Sequence, residues 1–260
     1  MTRALLTKGL GTLGLELRRR RTVGREEELR RLIPEITEIE RNWIHRCRPY
    51  TMTSVERQWA LIQAIRYLEA EAIVGDIVEC GVWRGGNLIL AGLMRRELAF
   101  DRKIIGFDTF TGMSAPTSRD VHQRTGKLAE KRFGQLRRDG YTNWCYAPES
   151  EVFSAFERET GCSDLCLIKG KCEETLGDTA NLPDRIALLR LDTDWYESTR
   201  AELDTLYPRL SPGGVLIIDD YGHWQGAKQA VDEFFQGHFA WLHRVDYTCR
   251  LYIKPQNRRP

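Results

Sequence analysis

Apolar residues in this chain gather into short runs closed by polar or glycine-bearing turns, and from Gly75 onward the rhythm of strand, tight turn and helix repeats. The stretch 76–81 reads as a first buried strand. Gly85 and Gly86 open a helix that reaches Leu98, and 103–108 reads as a second strand. Further runs predict strands at 165–169, 186–191 and 215–218, with helices over 197–207 and 225–235. Such alternation predicts an α/β fold: a mostly parallel central sheet with right-handed crossovers and helices on both faces. The tail 242–252 predicts one or two more strands, antiparallel because no helix separates them.

Ahead of this pattern, residues 1–50 are polar and helix-prone. Arg18 to Arg21 are followed by Glu26, Glu27 and Glu28, then by Leu29, Leu32, Ile33, Ile36 and Ile39 at mixed helical spacing. The expectation is a helical appendage, 1–50, on a domain spanning 51–260. Ser54 and its neighbours offer a cap for a helix over 55–70, with Trp59, Ile62, Ile65 and Leu68 on its buried side. One polar segment, 109–147, is too long for an ordinary strand-to-helix connection. It predicts a lid or substrate loop in which Tyr141, Trp144 and Tyr146 stack on a ligand or pack a small helix.

Composition narrows the function classes. The 260 residues, 42% hydrophobic, suffice for a sizeable core, and 39 basic against 37 acidic residues give a net charge of only +2. No basic stripe interleaved with aromatics points to nucleic acid, and no apolar run approaches the ~20 residues that cross a bilayer. The seven scattered cysteines fit no zinc spacing, and the segment 1–21 lacks an uninterrupted signal-peptide core; a reduced, cytoplasmic protein is expected.

Chemistry in open α/β sheets lies beyond the carboxyl ends of the strands. The first strand closes on Glu79 and Gly81, and Gly85 opens the following helix, a turn that lets backbone approach a nucleoside. Trp83 stands where a dinucleotide fingerprint needs its second glycine, which disfavours NAD and FAD. Asp108 closes the second strand twenty-nine residues after Glu79, the place of a ribose-binding acid. The fourth strand ends in Asp192 and Asp194, the fifth in Asp219 and Asp220. Adjacent carboxylates repel, so two such pairs at one sheet edge predict a hard cation held by three of the four acids. His223, three residues past Asp220, is a candidate base near that cation or a solvent-facing loop residue.

The blocks at 78–86, 107–112, 189–199 and 206–214, followed by 218–221, resemble the macrocin and mycinamicin sugar O-methyltransferases and their noviose-modifying relatives. The resemblance runs from about Tyr50 to the C-terminus and is strongest in the two acidic blocks. It implies a Rossmann-like class I methyltransferase fold using S-adenosylmethionine and Mg²⁺. By the same resemblance Asp192, Asp219 and Asp220 hold the metal, and Asp192 doubles as base. Glu79, Gly81 and Asp108 contact the cofactor, with Gly85 in the same turn, and Thr51 and Met52 match a segment that closes over it.

The expected reaction is methylation of a sugar or glycoside hydroxyl, with one hydroxyl of a metal-held diol deprotonated by Asp192 or His223. A small-molecule acceptor and a homodimer are expected, with no nucleic-acid or membrane partner. Two other classes stay open: a non-catalytic nucleoside-binding protein and a metal-dependent phosphohydrolase using the same acids.

Overall fold

The computed structural model of the chain describes residues 25–237 and 239–256. The Arg18–Arg21 run and the segment 1–21 lie outside the described residues, as does His238. The chain separates into two units, residues 1–36 and 37–260. In the first, α1 spans Arg25–Leu32.

The second unit starts with α2 (Glu38–Cys47), entered through a capping box: the Thr37 hydroxyl accepts from the Glu40 amide, and the Glu40 carboxylate accepts from the Thr37 amide. Next comes α3 (Val55–Ala70), capped by Ser54. Its buried side carries Ile62, Ile65 and Leu68 as expected, but Trp59 is only half-buried, and Gln58 and Leu61 take the buried places beside them. The alternating part follows as β1 (Asp76–Cys80), α4 (Gly86–Leu98), β2 (Ile104–Asp108), α5 (Ala129–Leu136), α6 (Glu149–Thr160), β3 (Leu165–Lys169), α7 (Cys172–Thr175), β4 (Ile186–Leu191), α8 (Tyr196–Leu206), β5 (Leu210–Ile218) and α9 (Gln225–Phe234). The short β6 (His243–Arg244) and β7 (Arg250–Ile253) complete it.

The sheet order is β3-β2-β1-β4-β5-β7-β6. The first five strands run parallel, and β7 lies antiparallel to both β5 and β6. Every residue of β4 is buried; successive side chains of a strand point to opposite faces, so both faces are covered. The core joins Val78, Phe107, Leu189, Leu191, Leu216 and Ile218 from the central strands with Leu203, Leu206 and Val231 from α8 and α9. Chain order reverses between β1 and β4, and this switch point is where the site forms. Among the described residues no helix is long and apolar enough to cross a membrane.

The long segment after β2 is folded. It forms α5 and a bridge between Val121 and Leu128, and it is stitched to the loop after β5 by an antiparallel bridge between His122 and Trp224. There the Gln123 amide donates to the His223 carbonyl and the Gln225 amide to the Val121 carbonyl, both at 2.8 Å.

Candidate active site

A cavity of about 730 Å³ opens at the carboxyl edge of the sheet. Thr51, Met52, Gly81, Asp108, Asp192, Asp219, Asp220 and His223 all line it, whereas Glu79 and Gly85 do not.

Its first half is built on the β1 turn. Gly81 has φ +86°, and a β-carbon there would come within 2.0 Å of the Asp192 carbonyl oxygen, so only glycine lets the turn lie against the end of β4. Asp108 holds that turn. One of its carboxylate oxygens accepts from the amides of Val82 (2.7 Å) and Trp83 (2.9 Å), the other from that of Phe110 (2.8 Å). Burial raises its pKa, and the three amides pull the other way. Asp108 therefore spends most of its acceptor capacity on the protein. Thr51 and Tyr50 pack directly over Gly86, and Met52 sits exposed at the mouth. Gly85 instead starts α4 in a left-handed conformation and faces Val152.

The second half is acidic. Asp192, Asp219 and Asp220 each bring a carboxylate oxygen within 4.8 Å of the others. Beneath them lies Arg190, buried in β4 and paired across the sheet with Glu79 of β1. Its guanidinium donates to Glu79 and Asp192, both at 2.7 Å, and to Asp219. Arg57, from the first turn of α3, reaches the other oxygen of Asp219 at 2.6 Å and pairs with Asp246 at 3.0 Å. Glu79 lies under the floor. Burial pushes its pKa up to about 7 although Arg190 and Asn87 oppose the shift. Neither Arg190 nor Arg57 stood out from the sequence as a site residue. A charged residue inside the apolar run Leu188–Leu191 was the available signal, since a buried arginine demands partners.

Asp194 adopts a left-handed backbone, φ +69°, unusual for a residue with a β-carbon. Its carboxylate accepts from the Trp224 indole at 3.1 Å and lies beside that of Asp220. Burial raises both carboxyls, and the neighbouring acids add to the shift of each. Asp194 thus supports Asp220. His223 is half-buried, its Nδ1 2.9 Å from the Tyr247 hydroxyl, and its pKa is lowered to about 4 by burial first and then by His122, Arg124, Arg57 and Arg132. The imidazole is neutral at ordinary pH.

Trp144, Trp195 and Trp224 pack edge-on or tilted, with ring centres 5.1–6.1 Å apart; Trp144 and Trp224 line the cavity and Trp195 is buried behind them. Trp144 and Tyr146 line the cavity, but Tyr141 lies outside it.

The residues present fit a hard cation. The donors are all oxygen, six carboxylates (Glu79, Asp192, Asp194, Asp219, Asp220 and Asp246) surround two guanidiniums, and one oxygen of Asp220 is buried without any partner. Cys80, Cys172 and Glu202 form another close group. Burial raises the Cys80 thiol and the Glu202 carboxyl, and the hydrogen bond with Cys80, then burial, raises the Cys172 thiol.

A doubly wound sheet with an antiparallel β7, a glycine turn at β1 and acids at β4 and β5 defines the class of S-adenosylmethionine-dependent O-methyltransferases. Within that class the chain belongs to the macrocin O-methyltransferase (TylF) family, whose profile matches residues 37–254. It is 34% identical to the demethyldecarbamoylnovobiocin O-methyltransferase of Streptomyces niveus over 71% of this chain and 67% of that one. To the mycinamicin III 3''-O-methyltransferase of Micromonospora griseorubida it is 32% identical, over 73% and 71% respectively. The solved structure of the O-methyltransferase NovP superposes with a TM-score of 0.67 at 29% identity, covering 80% of this chain and 83% of that one.

Proposed function

We propose that this protein methylates a sugar hydroxyl of a natural product or glycoside, with the acceptor held over Asp192, Asp219 and Asp220. The observation that carries the reading is the convergence of these carboxylates in one cavity with the Gly81 turn. The named relatives, which by their names methylate glycosylated natural products, support the substrate class.

S-adenosylmethionine supplies a sulfonium methyl group. The Gly81 turn, fixed by Asp108, would seat its nucleoside, and the Tyr50–Thr53 segment would cover it. A magnesium ion held by Asp192, Asp219 and Asp220 would supply positive charge that eases ionisation of the acceptor hydroxyl. Asp192 is more exposed than Asp219 and keeps one oxygen on Arg190 while it faces the cavity. It takes the proton. The hydroxyl oxygen then bonds the methyl carbon, the carbon–sulfur bond breaks, and its electron pair stays on sulfur. His223, with a pKa near 4 and Nδ1 engaged by Tyr247, is a weak base, so we assign it to orienting the acceptor. Holding oxygen and methyl in line is the main contribution of the walls.

The test is incubation of purified protein with labelled S-adenosylmethionine and sugar-containing metabolite extract. Transfer to a sugar oxygen, abolished by EDTA and by Asp219→Asn, is expected. Undiminished transfer under both treatments would refute the metal-assisted reading.

A further inference from the structure

The segment 109–147 carries seven basic residues against three acids, an excess of four in a chain whose net charge is +2. One of the three acids, Asp120, is buried, accepting hydrogen bonds from the Thr117 and Tyr196 amides. The positive charge of the segment is thus left for something outside it.

One of its arginines lines the cavity and a second lies over a ring that does. Arg132 of α5 lines it, with its guanidinium carbon 4.4 Å from the centre of the Trp144 ring. Arg124 lies 5.7 Å from the ring centre of Tyr247, the residue that holds His223. Among the described residues neither has an acid within ion-pair distance; the ion pairs of Glu79, Asp192 and Asp219 are made with Arg190 and Arg57 instead. A path therefore runs from Asp194 through Trp224 and Trp144 to the Arg132 guanidinium. Acids form the floor, indoles the wall, and arginines the rim.

A neutral glycoside filling this cavity would replace the water on the rim guanidiniums with hydroxyl acceptors alone, which lack the charge and the paired geometry of an oxyanion. A planar guanidinium stacked on an aromatic ring still presents its donor edge, which matches phosphate or carboxylate oxygens in pairs.

We propose that the acceptor is an anionic sugar derivative, with a phosphate or carboxylate beyond the methylated ring, and that Arg132, assisted by Arg124, selects it. This rests on the methyl-transfer reading above.

The test uses the full chain, labelled S-adenosylmethionine and a low-molecular-weight cell extract, with labelled products separated by anion exchange. The expected product is retained on the exchanger at neutral pH. Release of retention by phosphatase, alone or after phosphodiesterase, identifies a phosphate; retention that survives both enzymes and is lost on esterification of the product identifies a carboxylate. For the acceptor so isolated, Arg132→Gln should raise KM at least tenfold and leave kcat within about twofold, and Arg132→Lys should recover part of the loss. A product that flows through the exchanger, or an unchanged KM in a folded Arg132→Gln protein, overturns the anionic acceptor while methyl transfer stands. No labelled product in any fraction counts against the methyl-transfer reading beneath it.

Discussion

Replacing Arg190 with methionine, close in length and without charge, tests whether the two halves of the site share one counter-ion. Arg190 is 3% exposed and contacts Glu79 and Asp192 at 2.7 Å, as well as Asp219. At an effective dielectric constant of about 20 each such contact is worth roughly 4 kcal/mol before desolvation. Removing one partner of a buried ion pair costs about 3–5 kcal/mol, because the remaining charges stay buried. For a chain of this size that corresponds to a melting point roughly 6–20 °C lower.

The pH dependence has a definite sign. Glu79 already has its folded pKa raised to about 7, above its ordinary value near 4.5, so its share of stability is full below that ordinary value and is lost as pH rises through 7. Without Arg190 the carboxyls rise further, and the loss of stability should be larger at pH 8 than at pH 6. Thermal unfolding followed by circular dichroism at both pH values measures it. The double variant Glu79→Gln/Arg190→Met should lose less than the two single variants together, since the charge left behind has gone. A loss under about 1 kcal/mol, or one independent of pH, would mean that Arg190 is not the shared counter-ion.

Asp192→Asn should reduce methyl transfer more than Asp194→Asn, because Asp192 faces the acceptor and Asp194 acts through Asp220; parallel initial rates decide the order. Gly81→Ala should weaken S-adenosylhomocysteine binding at least tenfold in calorimetry, since the added methyl meets the Asp192 carbonyl; unchanged affinity would show that the turn is not the nucleoside cradle. Burial raises the Glu202 pKa to about 8, so its contribution to stability is complete below about 4.5 and is lost as pH rises to 8. Glu202→Gln should therefore gain stability relative to the parent between pH 5 and 8, and parallel melting curves would contradict this.

Strand ends were the legible part of this molecule. Asp108, Asp192 and Asp219 each follow a run of apolar residues, so the sequence placed them at the sheet edge, and the cavity gathers them there. The helix α6 was not foreseen, although its signals were local: acids at Glu149 and Glu151 in the first turn and Gly161 ending it in a left-handed conformation. They were masked by the polar segment before them. β5 begins at Leu210, earlier than its apolar run, because Ser211, Pro212 and Gly213 join it despite weak strand preference. Contacts made across the sheet were the illegible part. Glu79 and Arg190 lie far apart in sequence and meet only through strand register, and Arg57 reaches Asp219 only because α3 lies over β4 and β5. Of the three activities left open by the strand ends, methyl transfer is the one the family supports.

The stitching between the 109–147 segment and the loop after β5 bears on how such enzymes could be re-engineered. Swinging that segment outward would break the Gln123–His223 and Gln225–Val121 backbone bonds, at a net cost of about 1–3 kcal/mol, or would drag with it the loop that follows Asp219 and Asp220. Any outward movement of the segment is therefore coupled to the setting of the acids. A chimera that borrows only residues 109–147 from a relative would inherit a mismatched seam against His223 and Trp224. The smallest transplantable unit is the segment together with 219–225, and slow exchange of the Gln123 and Gln225 amides would mark the seam as closed.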